Sequence, residues 1–385
     1  MVMDKFIEQL PFFNDDHRTL AAELVTLVES EIEPRAAEER DVETQLREFV
    51  TILATADALR YAVASPGSKL DVRALCLVRE ALSYSSALAD LAFVMQGLGT
   101  YAISQAAPEH VRDFWLSRAV QGKAIAAFAL TEPDAGSDVA AIKTSATHEG
   151  DAYVLNGRKR FISNAGVADF YTVFARTGTD ANGRAALSAF IVGAKMPGFN
   201  VLERRAMIAA HPIGEIEFQG CRVPTENLVG AEGDGFLLAM RTMDTFRASV
   251  GAAACGMARR ALDEAVRHAV TRKQFGRFLA EHQLVQEKLA DMITELDAAR
   301  LLVYRAAHLK DTGNGRVTRE ASEAKLFATE AACRIIDQSV QIHGGAGLVR
   351  GSVVERLYRD VRALRIYEGT SEIQKLIIAN QLLKD

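Results

Sequence analysis

Apolar residues recur at helical spacing in the first third of the chain and again after residue 235. Leu20, Leu24 and Val28 lie on one helical face behind the acidic pair Asp15-Asp16, and a second such pattern follows Asp71. Acidic residues cap helices or favour their first turns, so both patterns predict helices.

Two longer helices are predicted in the C-terminal part of the chain. One has apolar residues at alternating steps of four and three, typical of a bundle seam, and the other carries mainly small residues that allow close packing. The seam comprises Val285, Leu289, Met292, Leu296, Ala299 and Val303, and the second helix carries Ala321, Lys325, Ala328, Ala332 and Ile336.

The period changes between residues 123 and 235, where β-rich runs alternate with turn residues. Residues 153–155 and 158–163 are predicted as two strands joined by Asn156-Gly157, because Asn-Gly suits a type I′ hairpin turn. In residues 215–218 apolar and charged residues alternate, as in a half-buried strand. Residues 170–175 and 187–192 are further β-rich runs.

The order of these blocks predicts an α+β chain, mostly α, with three domains. We expect an N-terminal helical domain over residues 1–122, a middle antiparallel β-domain over 123–235 and a C-terminal four-helix bundle over 236–385. No Gly-x-Gly-x-x-Gly follows a strand, and no phosphate-binding loop of the Gly-Lys-Ser type is present. A dinucleotide-binding Rossmann site is therefore not supported.

Composition and charge exclude further classes of function. The 385 residues carry a net charge of −5 with acids and bases interspersed, without the basic stripe of a nucleic-acid-binding protein. The four cysteines have neither disulfide nor metal-ligand spacing, so we expect a reducing compartment, the cytoplasm, and no metal site. We identify no signal peptide and no stretch approaching the ~18 apolar residues of a membrane span.

Five segments carry candidate chemistry. Residues 128–138 predict a strand that ends in a loop rich in hydroxyls and carboxylates, and residues 156–166 carry a basic cluster. Residues 272–276 could meet a phosphate through Arg272, residues 341–347 are rich in glycine, and residues 365–374 place Glu368 before a helix. Taken singly, each also fits a structural explanation: a surface turn, a hairpin with a basic tip, a solvated turn, a glycine C-cap and a solvated glutamate.

Together the five segments resemble the acyl-CoA dehydrogenase family, in order and spacing, over most of the chain. The specific motifs are Thr-Glu-Pro-Asp-Ala-Gly-Ser-Asp at 131–138 and Tyr-Glu-Gly-Thr-Ser-Glu at 367–372. The resemblance implies the three-domain architecture, non-covalent FAD, an acyl-CoA substrate, a role in fatty acid metabolism and a homotetramer or homodimer. It also implies that the electrons pass to an electron-transfer flavoprotein.

The resemblance assigns roles around FAD. Thr131 and Ser163 are expected to hydrogen-bond the flavin ring, with Phe161 packed beside it, where many members of the family have Trp. Contacts to the adenosine and phosphate half of FAD, some of them across a subunit interface, are expected from Arg272, Phe275, Gln341, Gly345 and Thr370.

The acyl-CoA is expected to contact a second set of residues. Ser137 should lie along the pantetheine arm, within the FAD and substrate site, and Asp244 and Arg247 should line the CoA channel from one helix face. Tyr367 and Gly369 flank the proposed base and are expected to contact the substrate.

The implied reaction is α,β-dehydrogenation of an acyl thioester. Glu368 would remove the α-proton as general base, while its main-chain N–H helps to polarise the thioester carbonyl. Some branches of the family place the base one residue before the position that matches Arg247, but that residue is Phe246, which cannot accept a proton. The alternatives are an acyl-CoA oxidase or thioester-acting lyase, and a flavin-binding scaffold without turnover.

Overall fold

The computed structural model describes residues 7, 9–36, 40–179, 183, 185–313 and 316–384. The chain divides into two compact units that alternate along the sequence. The first unit contains residues 1–39, 71–90 and 244–385, and the second contains residues 40–70 and 91–243. The expected domain boundaries at residues 122 and 235 stay predictions.

Helices form the N-terminal and C-terminal parts of the chain. In chain order they are α1 (Asp15–Leu27), α2 (Glu33–Ala36), α3 (Val42–Thr55), α4 (Val72–Ser85), α5 (Ala87–Ala106), α6 (Glu109–Val120), α7 (Gly235–Thr271), α8 (Gln283–Thr312), α9 (Thr318–His343), α10 (Val353–Val361) and α11 (Ser371–Leu382). Of the helices in the described ranges, none combines the length and the apolar character that crossing a bilayer requires.

Strands form the middle part. They are β1 (Ala126–Ala129), β2 (Ser145–Glu149), β3 (Ala152–Ser163), β4 (Phe170–Thr179), β5 (Ala185–Gly193), β6 (Phe199–Arg205), β7 (Ile213–Pro224), β8 (Leu228–Val229), β9 (Lys273–Gln274) and β10 (Arg277–Phe278). The middle sheet has the order β6-β7-β3-β2-β4-β5-β8, with β1 paired to β4, and β9 and β10 form a separate hairpin. These elements confirm the α+β fold class, with N-terminal helices, a middle sheet and C-terminal helices.

The sheet departs from the sequence prediction in one respect. Most of its pairs are antiparallel as expected, but β1–β4 and β2–β4 are parallel, so the sheet is mixed. β1 pairs with β4 over residues 126–129, and β2 meets β4 at Ser145 opposite Arg176. Periodicity predicts strands but not the partners that they choose.

The predicted hairpin at Asn156-Gly157 is wrong. Residues 152–163 form one continuous strand, and both halves pair with β7, from Tyr153 opposite Val223 to Ser163 opposite Ile213. Of the two expected turn residues, only Gly157 takes a positive φ, 145°, and it lies at a register shift, so it makes a β-bulge where a type I′ turn needs two such residues. Its backbone also lies so close to Thr144 that a Cβ would fall 2.6 Å from Oγ1.

The strand at residues 215–218 is confirmed, but it is not half-buried. Glu215 and Glu217 are covered like the apolar residues between them. Arg160 ion-pairs with Glu215 at 3.2 Å and Arg158 with Glu217 at 2.7 Å. A carboxylate that is partnered in this way can occupy a covered position.

Side-chain caps fix the starts of two helices in the first unit. The Asp71 carboxylate accepts a hydrogen bond from the backbone N–H of Ala74 at the start of α4, as predicted. The Thr370 hydroxyl accepts one from the N–H of Ile373 at the start of α11. The second cap sets where the Tyr367–Thr370 segment ends and the last helix begins.

Candidate functional site

In the second unit, a buried ion pair pins the 131–138 loop to β3. Lys159 is fully buried, and its Nζ donates to the Leu130 carbonyl at 3.0 Å and to Oε1 of Glu132 at 2.8 Å. Burial lowers the pKa of Lys159 to about 8, so the ammonium form predominates at neutral pH. Glu132 also accepts the backbone N–H groups of Lys143 and Thr144 at 2.7 and 3.0 Å.

The end of β3 presents an aromatic side chain beside this loop. The N–H of Arg160 donates to the Thr131 carbonyl at 2.9 Å, which brings Thr131 next to Phe161 in the backbone. Phe161 has a φ of 55° within an irregular stretch of β3, and 55% of its surface is exposed. A bulge re-aims a side chain out of the strand's alternation, which explains how an aromatic ring comes to face outward here.

Ser163 ends β3 and has an unforeseen partner. Its Oγ lies 2.8 Å from Nε2 of His211. Burial lowers the pKa of His211 to about 4, so this imidazole is neutral at physiological pH. The sequence alone assigned no role to His211, whereas in the structure it contacts the Ser163 hydroxyl directly. Ser137 is exposed in the 131–138 loop.

In the first unit, Glu368 sits on a constrained turn. Its φ is 53° and that of Gly369 is 90°, so the backbone of both residues lies in the left-handed region. Lys325 Nζ donates to the Gly369 carbonyl at 2.7 Å. Gln374 Nε2 donates to the carbonyls of Glu368 and Gly369 at 3.2 and 3.0 Å.

The Glu368 carboxyl group has several charged side chains near it, but one of its oxygens lacks a hydrogen-bond partner in the described ranges. Its Oε2 is buried and has no hydrogen-bond partner in the described part of the chain. Burial raises the pKa of Glu368, and the positive charges of Arg79, Lys325 and Arg247 offset part of that rise. A carboxylate with a raised pKa and an open lone pair is what a general base requires.

Two of the three cations have carboxylate partners of their own. Arg79 donates to Asp90 at 2.8 and 2.7 Å and to the Ser249 hydroxyl at 2.9 Å, all in buried surroundings. Arg247 donates to Asp244 at 2.5 Å, which confirms that these two predicted residues share one face of α7. Phe246, in the alternative base position, is fully buried.

The remaining predicted residues belong to the first unit as well. Burial raises the pKa of Tyr367 far above the physiological range, so its phenol stays neutral beside Glu368. Arg272 and Phe275 lie at the β9–β10 hairpin, where Phe275 has a φ of 51° and is 93% exposed. Gln341 lies in the last turn of α9, which ends at His343, and Gly345 follows in an exposed turn.

The C-terminal ends of α7 and α9 lie side by side. There the rings of His268 and His343 stack, with 4.4 Å between their centroids. This contact brings the Arg272 and Gln341 segments into one neighbourhood. No hydrogen bond or ion pair in the described ranges joins Arg272, Phe275, Gln341 or Gly345 to Glu368.

Backbone conformation marks several of the same positions as the motifs do. The left-handed region is rarely adopted by residues other than glycine. In the described ranges, the non-glycine residues in this region are Asp57, Phe161, Asn164, Phe275 and Glu368. Three of them, Phe161, Phe275 and Glu368, are predicted site residues.

Sequence reasoning missed the charged residues that hold the site. Arg79 and Asp90 were not considered, Lys159 entered only as part of the basic cluster at residues 156–166, and Lys325 entered only as a member of the second, small-residue helix. A lysine among the small residues of a closely packed helix is itself a signal, because lysine is almost never fully buried unless it is paired.

Three family models match the chain. They are the N-terminal domain of acyl-CoA dehydrogenase over residues 14–123, the middle domain over 127–221 and the C-terminal domain over 233–383. The chain is 39% identical to the 3-(aryl)acrylate reductase of Clostridium sporogenes, over 97% of this chain and 100% of that protein. It is 43% identical to the caffeyl-CoA reductase-Etf complex subunit CarC of Acetobacterium woodii, over 70% of this chain and 71% of that protein.

Solved structures give the same likeness. Butyryl-CoA dehydrogenase from Megasphaera elsdenii superposes with a TM-score of 0.88 at 33% identity, covering 96% of this chain and 99% of that one. A glutaryl-CoA dehydrogenase from Mycobacterium smegmatis in complex with FADH2 superposes with a TM-score of 0.86 at 25% identity, covering 97% and 96%.

Proposed function

Because this chain belongs to the acyl-CoA dehydrogenase family, we propose that it is an FAD-dependent oxidoreductase that desaturates an acyl-CoA between its α- and β-carbons, with Glu368 as the general base. The observation that carries the proposal is the state of the Glu368 carboxyl group. It has a raised pKa, a buried oxygen without a hydrogen-bond partner in the described ranges, and three neighbouring cations.

The residues of the second unit fit a flavin. A flavin ring has a flat apolar face and a polar edge, and Phe161 offers an exposed aromatic surface close along the backbone to the Thr131 and Ser163 hydroxyls. Arg272, Phe275, Gln341, Gly345 and Thr370 would hold the rest of FAD. Bound FAD would supply the redox chemistry by accepting the hydride from the β-carbon.

The chemical work of the chain centres on Glu368. Its carboxylate would take the α-proton of the thioester in surroundings that exclude water, where a raised pKa makes it a stronger base. Its main-chain N–H, which donates no hydrogen bond in the described ranges, would donate to the thioester carbonyl as negative charge develops there. Tyr367 and Gly369 would contact the acyl group beside it.

The CoA portion would contact Ser137, Asp244 and Arg247. We extend the proposal to an electron-transfer flavoprotein as acceptor, which the Etf-complex relative supports, and to a homotetramer or homodimer. The almost fully exposed Phe275 is consistent with a side chain that a ligand or a second subunit covers. Sedimentation velocity measures the oligomeric state directly.

The test is Glu368→Gln in the holoenzyme, with Glu372→Gln as the matched control. Both residues are glutamates of one segment, but Glu372 is exposed in the first turn of α11. We expect Glu368→Gln to retain FAD and bind acyl-CoA while flavin bleaching slows by about 100- to 10,000-fold. Glu372→Gln should bleach at the wild-type rate. Near-normal bleaching in Glu368→Gln overturns the assignment.

The reductase names of the two relatives favour a second candidate, the same site working in the reductive direction. A panel of butyryl-CoA, long-chain acyl-CoA and 3-phenylpropionyl-CoA tests oxidation by flavin bleaching. The matching enoyl-CoAs, offered to the chemically reduced enzyme, test reduction by the return of flavin absorbance. An oxidase would instead reoxidise rapidly in air and release peroxide.

A further inference from the structure

Lys325 is the cation near Glu368 that has no carboxylate of its own. It lies on α9, fully buried, and its Nζ donates to the Gly369 carbonyl at 2.7 Å. In the described ranges it forms no ion pair with a carboxylate, whereas Arg79 is paired with Asp90 and Arg247 with Asp244. A buried ammonium ion without a counter-ion is costly, so its presence needs an explanation.

The charge that best compensates Lys325 is that of Glu368. Of the charges that favour the ammonium form of Lys325, the Glu368 carboxylate acts most strongly, ahead of Glu330 and Glu372. In return, the ammonium group favours the carboxylate form of Glu368. The two groups therefore stabilise each other's charged forms across the Gly369 peptide.

Lys325 also holds the backbone on which Glu368 stands. The Gly369 carbonyl accepts from both Lys325 and Gln374, and this second donor carries no charge. The left-handed turn of Glu368 and Gly369 is thus held at one carbonyl by both a cation and a neutral amide. Because one donor is charged and the other is neutral, replacing each in turn distinguishes an effect of charge from an effect of backbone position.

We propose that Lys325 is a positioning residue of the reaction: it orients the Glu368 turn through the Gly369 carbonyl and serves as a counter-ion to the Glu368 carboxylate. The inference rests on the proposed function of Glu368. Without this charge, burial would protonate Glu368 over a wider pH range and leave less of the base in its active form.

The charged groups around the pair lie on several elements and are all part of the expected pH dependence. Around Glu368 they are Arg79 on α4, Asp90 on α5, Arg247 on α7 and Lys325 on α9, and around Lys325 they are Arg247, Glu330, Glu368 and Glu372. Burial lowers the pKa of Lys325 to about 8, which leaves it mostly protonated at pH 7.

The experiment follows exchange of the α-protons of butyryl-CoA and 3-phenylpropionyl-CoA in D2O by NMR, with holoenzyme, from pH 5 to 9. This exchange reports proton removal by Glu368 without an electron acceptor. The variants are Lys325→Met, Lys325→Arg and Gln374→Met, with FAD content and melting temperature recorded for each. Gln374→Met is the matched control, since it removes an uncharged donor to the same carbonyl.

We expect Lys325→Met to move the acid limb of the exchange profile upward by about 1 pH unit, the effect of losing a nearby opposite charge. Lys325→Arg should restore the limb, and Gln374→Met should slow exchange without moving it. An unmoved limb in Lys325→Met, or an equal shift in Gln374→Met, overturns the inference. If Lys325→Met does not fold, failure of Lys325→Arg to keep the wild-type limb overturns it instead. Continued exchange in Glu368→Gln would overturn the proposed function itself.

Discussion

The buried pair of Lys159 and Glu132 gives a sharp prediction for stability. Lys159→Met removes the cation and leaves Glu132 buried, and breaking a buried pair in this way costs about 3–5 kcal/mol. Glu132 keeps the N–H groups of Lys143 and Thr144, so we expect the lower end, about 3 kcal/mol. For a domain of 150–250 residues this corresponds to a fall in Tm of about 6–12 °C.

The assay is thermal unfolding followed by circular dichroism, with Arg158→Met as the control. Arg158 precedes Lys159 and ion-pairs with Glu217 at 2.7 Å, but its side chain is 56% exposed, so its loss should cost at most about 1 kcal/mol. The double variant Lys159→Met/Glu132→Gln should recover part of the loss, because it no longer buries an unpaired carboxylate.

The same variants test whether this pair supports the FAD site proposed at the 131–138 loop. Lys159 holds Leu130 and Glu132 on either side of Thr131, so loosening it should lower the FAD retained after gel filtration. Arg158→Met should retain FAD fully. If Lys159→Met melts as close to the wild type as Arg158→Met does, the buried pair does not stabilise the loop and the reasoning is refuted.

Two further predictions concern the first unit. Thr370→Ala should destabilise the protein by about 1 kcal/mol in urea unfolding, since it removes the N-cap of α11, while Thr370→Ser keeps the hydroxyl and should match the wild type. Burial raises the pKa of Asp360 to about 6, above its value of about 4 in an unfolded chain. Between these values the folded state binds more protons, so this residue's contribution to stability is present below about pH 4 and is lost as the pH rises to about 6. Asp360→Asn should therefore gain stability relative to the wild type from pH 4 to 6 and hold that gain above pH 6; parallel unfolding curves would contradict this.

Local signals in the sequence predicted much of the fold. Asp71 caps its helix through a contact three residues along the chain, and the Met292 to Val303 part of the seam is buried as its period required. Such features depend on neighbours in the sequence, which a pattern records. The hairpin predicted at Asn156-Gly157 was wrong for the opposite reason. The local turn preference of this pair was outweighed by pairing with β7, which runs along both halves of β3.

The candidate site divides in the same way. Its chemical groups stand in recognisable motifs, so Glu368, Thr131 and Ser163 could be named from the sequence. The residues that set their protonation and orientation, such as Arg79, Lys325 and His211, come from segments far apart along the chain. Their roles depend on burial and on three-dimensional distance, which periodicity does not encode.

The left-handed backbone at Phe161, Phe275 and Glu368 places a cost in stability at three residues of the proposed site. A bulky side chain in this region costs about 1–3 kcal/mol, whereas glycine adopts it without penalty. At each of these positions the substitution that relaxes the backbone is therefore also the one that deletes the aromatic face or the carboxylate. A library of this protein selected for heat resistance alone would be drawn toward glycine there and would lose the groups to which the proposed function assigns the chemistry.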